Sequence, residues 1–143
     1  MVSRDRDLYL EVMKQSDGFL ADDELERYSR HIILKEIGGQ GEMRLKSARV
    51  AVIGAGGIGS PALQYLAAAG VGRLTVIDDD RVDPSNLQRQ TLFGTDDAGT
   101  GKGDAAARAL LRLNPHVGVT VQPVRIDAAN AAAVLAGHDA ILD

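Results

Sequence analysis

Arg89 and Lys102 are the side chains of this sequence best suited to reaction chemistry, and both follow an acidic run, Asp78-Asp79-Asp80. Arg grips two phosphate oxygens with a planar fork, and Lys supplies a mobile point charge. Phosphoryl and adenylyl transfer call for such cations because negative charge accumulates near the phosphorus. Asn86 and Gln90 belong to the same stretch, Asn86-Leu87-Gln88-Arg89-Gln90, and offer neutral hydrogen bonds. Lys102 opens a helical pattern, where a cation opposes the helix dipole. A bound triphosphate would offset that cost. The pair therefore suggests ATP handled as a reactant.

The residues upstream supply a place for the phosphates. Gly54, Gly56 and Gly59 fit G-x-G-x-x-G directly after Val50-Ala51-Val52-Ile53. In that motif the first glycine allows the tight turn and the second lets phosphate approach the backbone. The third lets helix and strand pack closely. Exposed N–H groups and the helix N-terminus then attract phosphate oxygens. Gly57 is expected to clear further space above the turn. Asp78 ends a second strand, Thr75-Val76-Ile77, and is best placed to accept ribose hydroxyls. Asp80 is expected to organise the loop or hold a magnesium hydration shell. Asp79 reads as a solvated turn residue, and Asp83 as a loop cap or a solvent-facing charge. No Lys-Ser/Thr pair follows the glycines, so this is not a P-loop.

The elements that must position these residues alternate strand and helix. Strands are expected at Arg49–Ile53, Arg73–Asp78 and Val117–Pro123, with a fourth beginning at Ala140. The first is nearly all Val, Ala and Ile, as a parallel strand covered on both faces requires. Helices are expected from about Gly57 to Ala69, Lys102 to Leu113 and Asp127 or Ala128 to Leu135. Pro61 is tolerated in the first turn of the Gly57–Ala69 helix because its missing N–H has no intrahelical partner there. Asn114-Pro115 stops the Lys102–Leu113 helix. Residues 79–100 show no clean period and read as a functional loop with one or two short turns, since a structureless loop this long is uncommon without a ligand. Upstream, a mild pattern predicts a helix over Asp7–Gln15. A second helix is expected from Asp23 to about Glu36, with Asp22 as N-cap and Gly38-Gly39 as its end. Gln40–Leu45 reads as a short helix.

Composition narrows the class. The 143 residues suffice for one hydrophobic core, with 45% apolar, 25% charged and only 3% aromatic residues. Val, Ile, Leu and Ala must therefore fill it. A net charge of -4 without a basic run argues against nucleic-acid binding. Cys is absent, which excludes disulfides, a thioester and a cysteine metal site within this sequence. No apolar run is long enough for a membrane span. Met1–Asp7 is charged on both signs, unlike a signal peptide, so a cytoplasmic location is the default expectation. His31, His116 and His138 read as structural or surface residues.

At these residues the chain resembles the MoeB/ThiF/HesA group, adenylyltransferases related to ubiquitin-activating enzymes. The resemblance rests on Arg27-Tyr28-Ser29-Arg30-His31, the glycine turn, Tyr65 to Gly72, Asp78-Asp79-Asp80, Asn86 to Gln90, Gly101-Lys102, Asn114-Pro115 and His138 to Asp143. It covers roughly residues 20 to 143, leaving 1–19 as a helical extension or tail. It implies an α/β, Rossmann-like nucleotide-binding sheet with flanking helices, forming the N-terminal part of a larger ThiF-type domain. It implies ATP and Mg2+ as cofactors, and as partner a ubiquitin-like sulfur-carrier protein. The C-terminal glycine carboxylate of that carrier is adenylylated with release of pyrophosphate. By family role Asp78 binds ribose, Asn86 and Arg89 contact phosphates, and Lys102 steadies the triphosphate. Arg30 would reach the ATP of the neighbouring subunit in a homodimer.

The chain also departs from the family pattern. The family's metal-associated Asp would follow shortly after Asp143. The part that holds the carrier, often with two Cys-x-x-Cys zinc pairs, is likewise not in this sequence. Ser60 stands where some members have cysteine. Two other readings compete. A nicotinamide-dependent oxidoreductase shares the glycine turn and Asp78 but leaves Arg89 and Lys102 unexplained. A non-catalytic nucleotide-binding or dimerising fragment would bind without pyrophosphate exchange.

Overall fold

A computed structural model of the chain describes residues 20–143. The helix expected over Asp7–Gln15 lies outside the described residues. Two compact units are divided between Arg44 and Leu45.

In the first unit, α1 (Asp22–Arg27) and α2 (Ser29–Ile32) replace the single helix expected from Asp23 to Glu36. The helical path breaks at Tyr28, whose φ of -97° and ψ of 10° depart from α geometry. Ala21, not Asp22, is the N-cap, and the Glu24 carboxylate accepts the Ala21 N–H at 2.8 Å. That is the return half of a capping box, which an Ala N-cap cannot reciprocate. Leu25, Tyr28 and Ile32 recur at helical spacing and form a small apolar cluster with Leu20. Gly38-Gly39 opens α3 (Gly38–Ser47) where the sequence suggested a stop. Gly38 has φ of +61°, and its N–H closes a turn onto the Leu34 carbonyl at 2.8 Å. The left-handed residue that ends one helical path here begins the next.

The second unit is an α/β sheet. The strands β1 (Arg49–Ile53), β2 (Arg73–Ile77), β3 (Gly118–Gln122) and β4 (Ala140–Leu142) are all parallel, in the order β3-β2-β1-β4. The order reverses between β1 and β4, the switch point where such sheets take ligands outside the strands' carboxyl ends. Val50 and Val52 pair in register with Leu74 and Val76. These four share one core cluster with Leu63 and Ala67 of α4 (Gly59–Ala68) and Ala105 and Leu110 of α5 (Lys102–Leu113). Leu63, Leu74 and Leu110 are fully buried, each contributing about 1.5–3 kcal/mol. A Cβ on Gly103 would overlap Val121 Cγ1, so the start of α5 lies tight on β3. A short helix, α6 (Ala131–Leu135), precedes β4. His138 is structural, as expected: its ring nitrogens meet the Leu135 carbonyl at 3.0 Å and Thr75 Oγ1 at 2.8 Å.

Residues 79–100 form a long connection with two 3-10 turns, Pro84–Asn86 and Thr95–Asp97. Val82, Leu92 and Phe93 are buried and belong to the core cluster, so the loop carries its own anchors. Its neck is closed by Val82 N–H to the Thr100 carbonyl and Gly99 N–H to the Val82 carbonyl, both 2.8 Å. Arg81 and Gly101 form an antiparallel bridge there. Among the described residues no helix is long and apolar enough to cross a membrane.

Candidate functional site

The glycine turn leaves β1 at Gly54, whose φ of +84° suits only glycine without strain. A Cβ on Gly59 would overlap the Gly54 carbonyl, so the third glycine is needed for the turn itself to close. Ser60 is fully buried, and its hydroxyl donates to the Ala55 carbonyl at 2.8 Å. The sequence marked Ser60 only as a departure from members with cysteine there; its position next to the last glycine of the motif was the signal for this role.

Two expected site residues reach over this turn. The position of a Cβ on Gly57 lies 3.4 Å from Arg89 Cδ and 3.6 Å from its Cγ. The space that Gly57 clears is therefore taken by the stem of Arg89. Gln90 Nε2 lies 3.9 Å from the corresponding position on Gly56. Gln90 is 3% exposed, and its Oε1 has no hydrogen-bond partner. A buried amide oxygen left unpaired is costly and marks a place where a further donor would be stabilising. Asn86 supports the same segment through its backbone carbonyl, which accepts the Arg89 and Gln90 N–H groups at 3.1 and 3.0 Å.

The acidic run is joined to both sides of the site. Asp78 Oδ2 accepts the Ala55 N–H at 2.7 Å, and its Oδ1 accepts the Asp80 N–H at 2.8 Å. Asp80 in turn accepts from Lys102 twice, at its carbonyl from the backbone N–H at 2.9 Å and at Oδ2 from Nζ at 3.1 Å. Lys102 is only 5% exposed, although the sequence marks it as a helix-start lysine that would ordinarily face solvent. Asp79 is exposed. Asp83 caps the Pro84–Asn86 turn by accepting the Ser85 N–H at 2.8 Å. Its hydrogen bonds to Ser85 hold the carboxyl below the usual range, with the Lys102 charge adding to the effect.

A cleft of about 250 Å³ opens beside Asp78, Asp79 and Asp80, bounded by Arg81, Gly101, Gly103, Asp104, Val121 and Pro123. The lining from α5 and β3 was not singled out by sequence, because its members carry no distinctive chemistry. Arg30 belongs to the first unit, where it is exposed on α2. In that unit His31 Nδ1 and Glu42 Oε2 are 3.2 Å apart, and Glu42 is fully buried. Burial pushes the Glu42 carboxyl up, against the smaller opposing effect of His31.

Comparison with known proteins points the same way. The chain is 53% identical over 120 residues to the SAMP-activating enzyme E1 of Haloferax volcanii, covering 84% of this chain and 44% of that protein. It is 50% identical over 121 residues to the sulfur carrier protein adenylyltransferase of Thermus thermophilus, covering 85% and 45%. It thus spans less than half the length of these relatives. Among solved structures, the E. coli tRNA N6-threonylcarbamoyladenosine dehydratase TcdA in complex with ATP superposes with a TM-score of 0.81 at 28% identity. That match covers 87% of this chain and 51% of TcdA. The family model described as ThiF matches residues 28–143, which take in the glycine turn, the loop that lays Arg89 over it and the buried Lys102. The chain belongs to the ThiF family.

Proposed function

We propose that this chain supplies the nucleotide-binding portion of an enzyme that adenylylates the C-terminal glycine carboxylate of a ubiquitin-like sulfur carrier. The observation that carries the proposal is the hydrogen-bonded path from Ala55 through Asp78 and Asp80 to Lys102. It links the phosphate turn, the ribose acceptor and a buried cation in one scaffold, and the nicotinamide reading leaves that cation unexplained. The names of the relatives support the choice of acceptor, and the ATP bound by TcdA supports the nucleotide.

In this reading the Asp78 carboxylate takes the ribose hydroxyls and the turn N–H groups meet phosphate oxygens. Arg89, Asn86 and Lys102 surround the polyphosphate. A carboxylate oxygen of the carrier's terminal glycine forms a bond to the α phosphorus as the α–β bridging P–O bond breaks, and pyrophosphate leaves. The carboxylate is already ionised near neutral pH, so the step needs no histidine base. Arg89 and Lys102 offset the charge that builds on the phosphoryl oxygens. Arg30 serves the site of a second copy in a homodimer.

Magnesium enters as part of the ATP substrate. The Asp78, Asp79 and Asp80 oxygens lie within 4.8 Å of one another, an arrangement of hard oxygen donors. Two of the three carboxylates are already held, by backbone amides and by Lys102. As an inner ligand set the run therefore does not fit.

ATP–pyrophosphate exchange tests the reading, using the full chain with a sulfur carrier ending in glycine. Exchange that depends on the carrier's C-terminal glycine supports it. Saturable ATP binding without exchange would favour the non-catalytic alternative, and NAD binding in preference to ATP would favour the oxidoreductase.

A further inference from the structure

We infer that Asp80 is a positioning residue: its carboxylate holds the Lys102 ammonium where a phosphate oxygen would, and the triphosphate must take the ammonium from it. The inference rests on the nucleotide reading above. An ammonium has three donors. Among the described residues the side-chain acceptor of Lys102 is Asp80 Oδ2, at 3.1 Å. The lysine side chain is 7% exposed and the aspartate side chain 69% exposed, so the two partners are unequal. A buried cation needs more than one acceptor to offset its lost hydration. An exposed carboxylate regains water as soon as it lets go.

The backbone makes the exchange local. The Asp80 N–H is fixed by Asp78 Oδ1, and its carbonyl accepts the Lys102 N–H at 2.9 Å. Rotation of the Asp80 side chain alone releases the ammonium without moving the loop neck or the start of α5. Lys102 therefore stays in place while one anion replaces another. Without Asp80 the buried ammonium would lose its hydrogen-bonded carboxylate before nucleotide arrives, leaving the longer-range charge of Asp83. With it, ATP must overcome an exposed ion pair, a competition worth at most about fivefold in affinity.

The test measures ATP and adenosine affinity by calorimetry, with and without Mg2+. The chains compared are wild type, Asp80→Asn, Asp79→Asn and Lys102→Met, and the last is combined with Asp80→Asn. Asp79→Asn removes the same charge one residue away and sets the baseline for general repulsion. Asp80→Asn is expected to bind ATP about threefold tighter than wild type and beyond that baseline, and to bind adenosine unchanged. In the Lys102→Met background its advantage over the baseline should vanish. An advantage of equal size in that background overturns the inference, because it would then not act through the ammonium. Weaker ATP binding confined to Mg2+ conditions overturns it in favour of a metal role for Asp80. Equal ATP affinities in wild type and Asp80→Asn reject this inference alone. ATP binding by neither rejects the nucleotide reading and this inference together.

Discussion

The Asp78 carboxylate accepts the Ala55 N–H at 2.7 Å, so the residue at the end of β2 also holds the glycine turn that follows β1. Ala55 is fully buried, so its N–H depends on this acceptor. Asp78→Ala is expected to cost about 1–3 kcal/mol of stability, the penalty of an unsatisfied buried donor. It should also weaken ATP binding by at least about tenfold, because a charged hydrogen bond to ribose is lost as well. Urea unfolding and calorimetry read the two effects separately. Undiminished stability would refute the tie to the turn, and undiminished ATP affinity the ribose role.

Lys102→Met keeps most of the apolar stem of a residue that is 5% exposed and removes only its charge. Asp80, the partner left behind, is largely exposed and loses little. Pyrophosphate exchange is expected to fall by about 10²–10³-fold, the scale of one preorganised charge-stabilising group. The urea midpoint should stay near that of wild type. Exchange at the wild-type rate would remove Lys102 from the chemistry.

The sheet and the glycine turn were legible because their signals are local. Val50 to Ile53, Gly54 to Gly59 and Asp78 follow one another with a strand's composition and a turn's steric demands. The helix starting at Lys102 was legible from its period and from the Asn114-Pro115 stop. Burial of Lys102 was not, since it depends on Asp80, twenty-two positions upstream, reaching it across the loop neck. The stem of Arg89 over Gly57 was hidden for the same reason. Gly38-Gly39 misled because a left-handed glycine serves either end of a helix, and sequence does not say which. The break at Tyr28 leaves no composition signal, as residues on both sides are adequate helix formers.

The four glycines of the turn should not be equally sensitive. A Cβ on Gly59 meets the Gly54 carbonyl, which is backbone and cannot turn aside. Gly59→Ala is expected to cost about 3 kcal/mol or more. A Cβ on Gly57 meets only the flexible stem of Arg89 at 3.4 Å. Gly57→Ala should therefore leave the unfolding midpoint within about 0.5 kcal/mol of wild type while lowering ATP affinity through a displaced Arg89. Adding Arg89→Ala to Gly57→Ala should produce no further loss if Arg89 carries the effect. Additive losses would mean that the added methyl acts on the bound phosphate directly and not through Arg89.

Glu42 gives the first unit a pH dependence of definite sign. The residue is fully buried, one carboxylate oxygen faces His31, and the other has no partner. Burial raises its pKa from 4.5 more than the His31 hydrogen bond and charge lower it, and Glu24 adds to the rise. A group whose pKa is raised on folding contributes stability below its unfolded value and loses it as pH climbs through the folded one. Wild type is thus expected to lose stability relative to Glu42→Gln as pH rises above 4.5. Glutamine keeps a hydrogen bond available to His31 and never has to ionise. Urea unfolding of both chains across that range measures the difference directly. A difference that stays flat would mean that folding leaves the Glu42 carboxyl titrating as it does in the unfolded chain, and would refute the raised pKa.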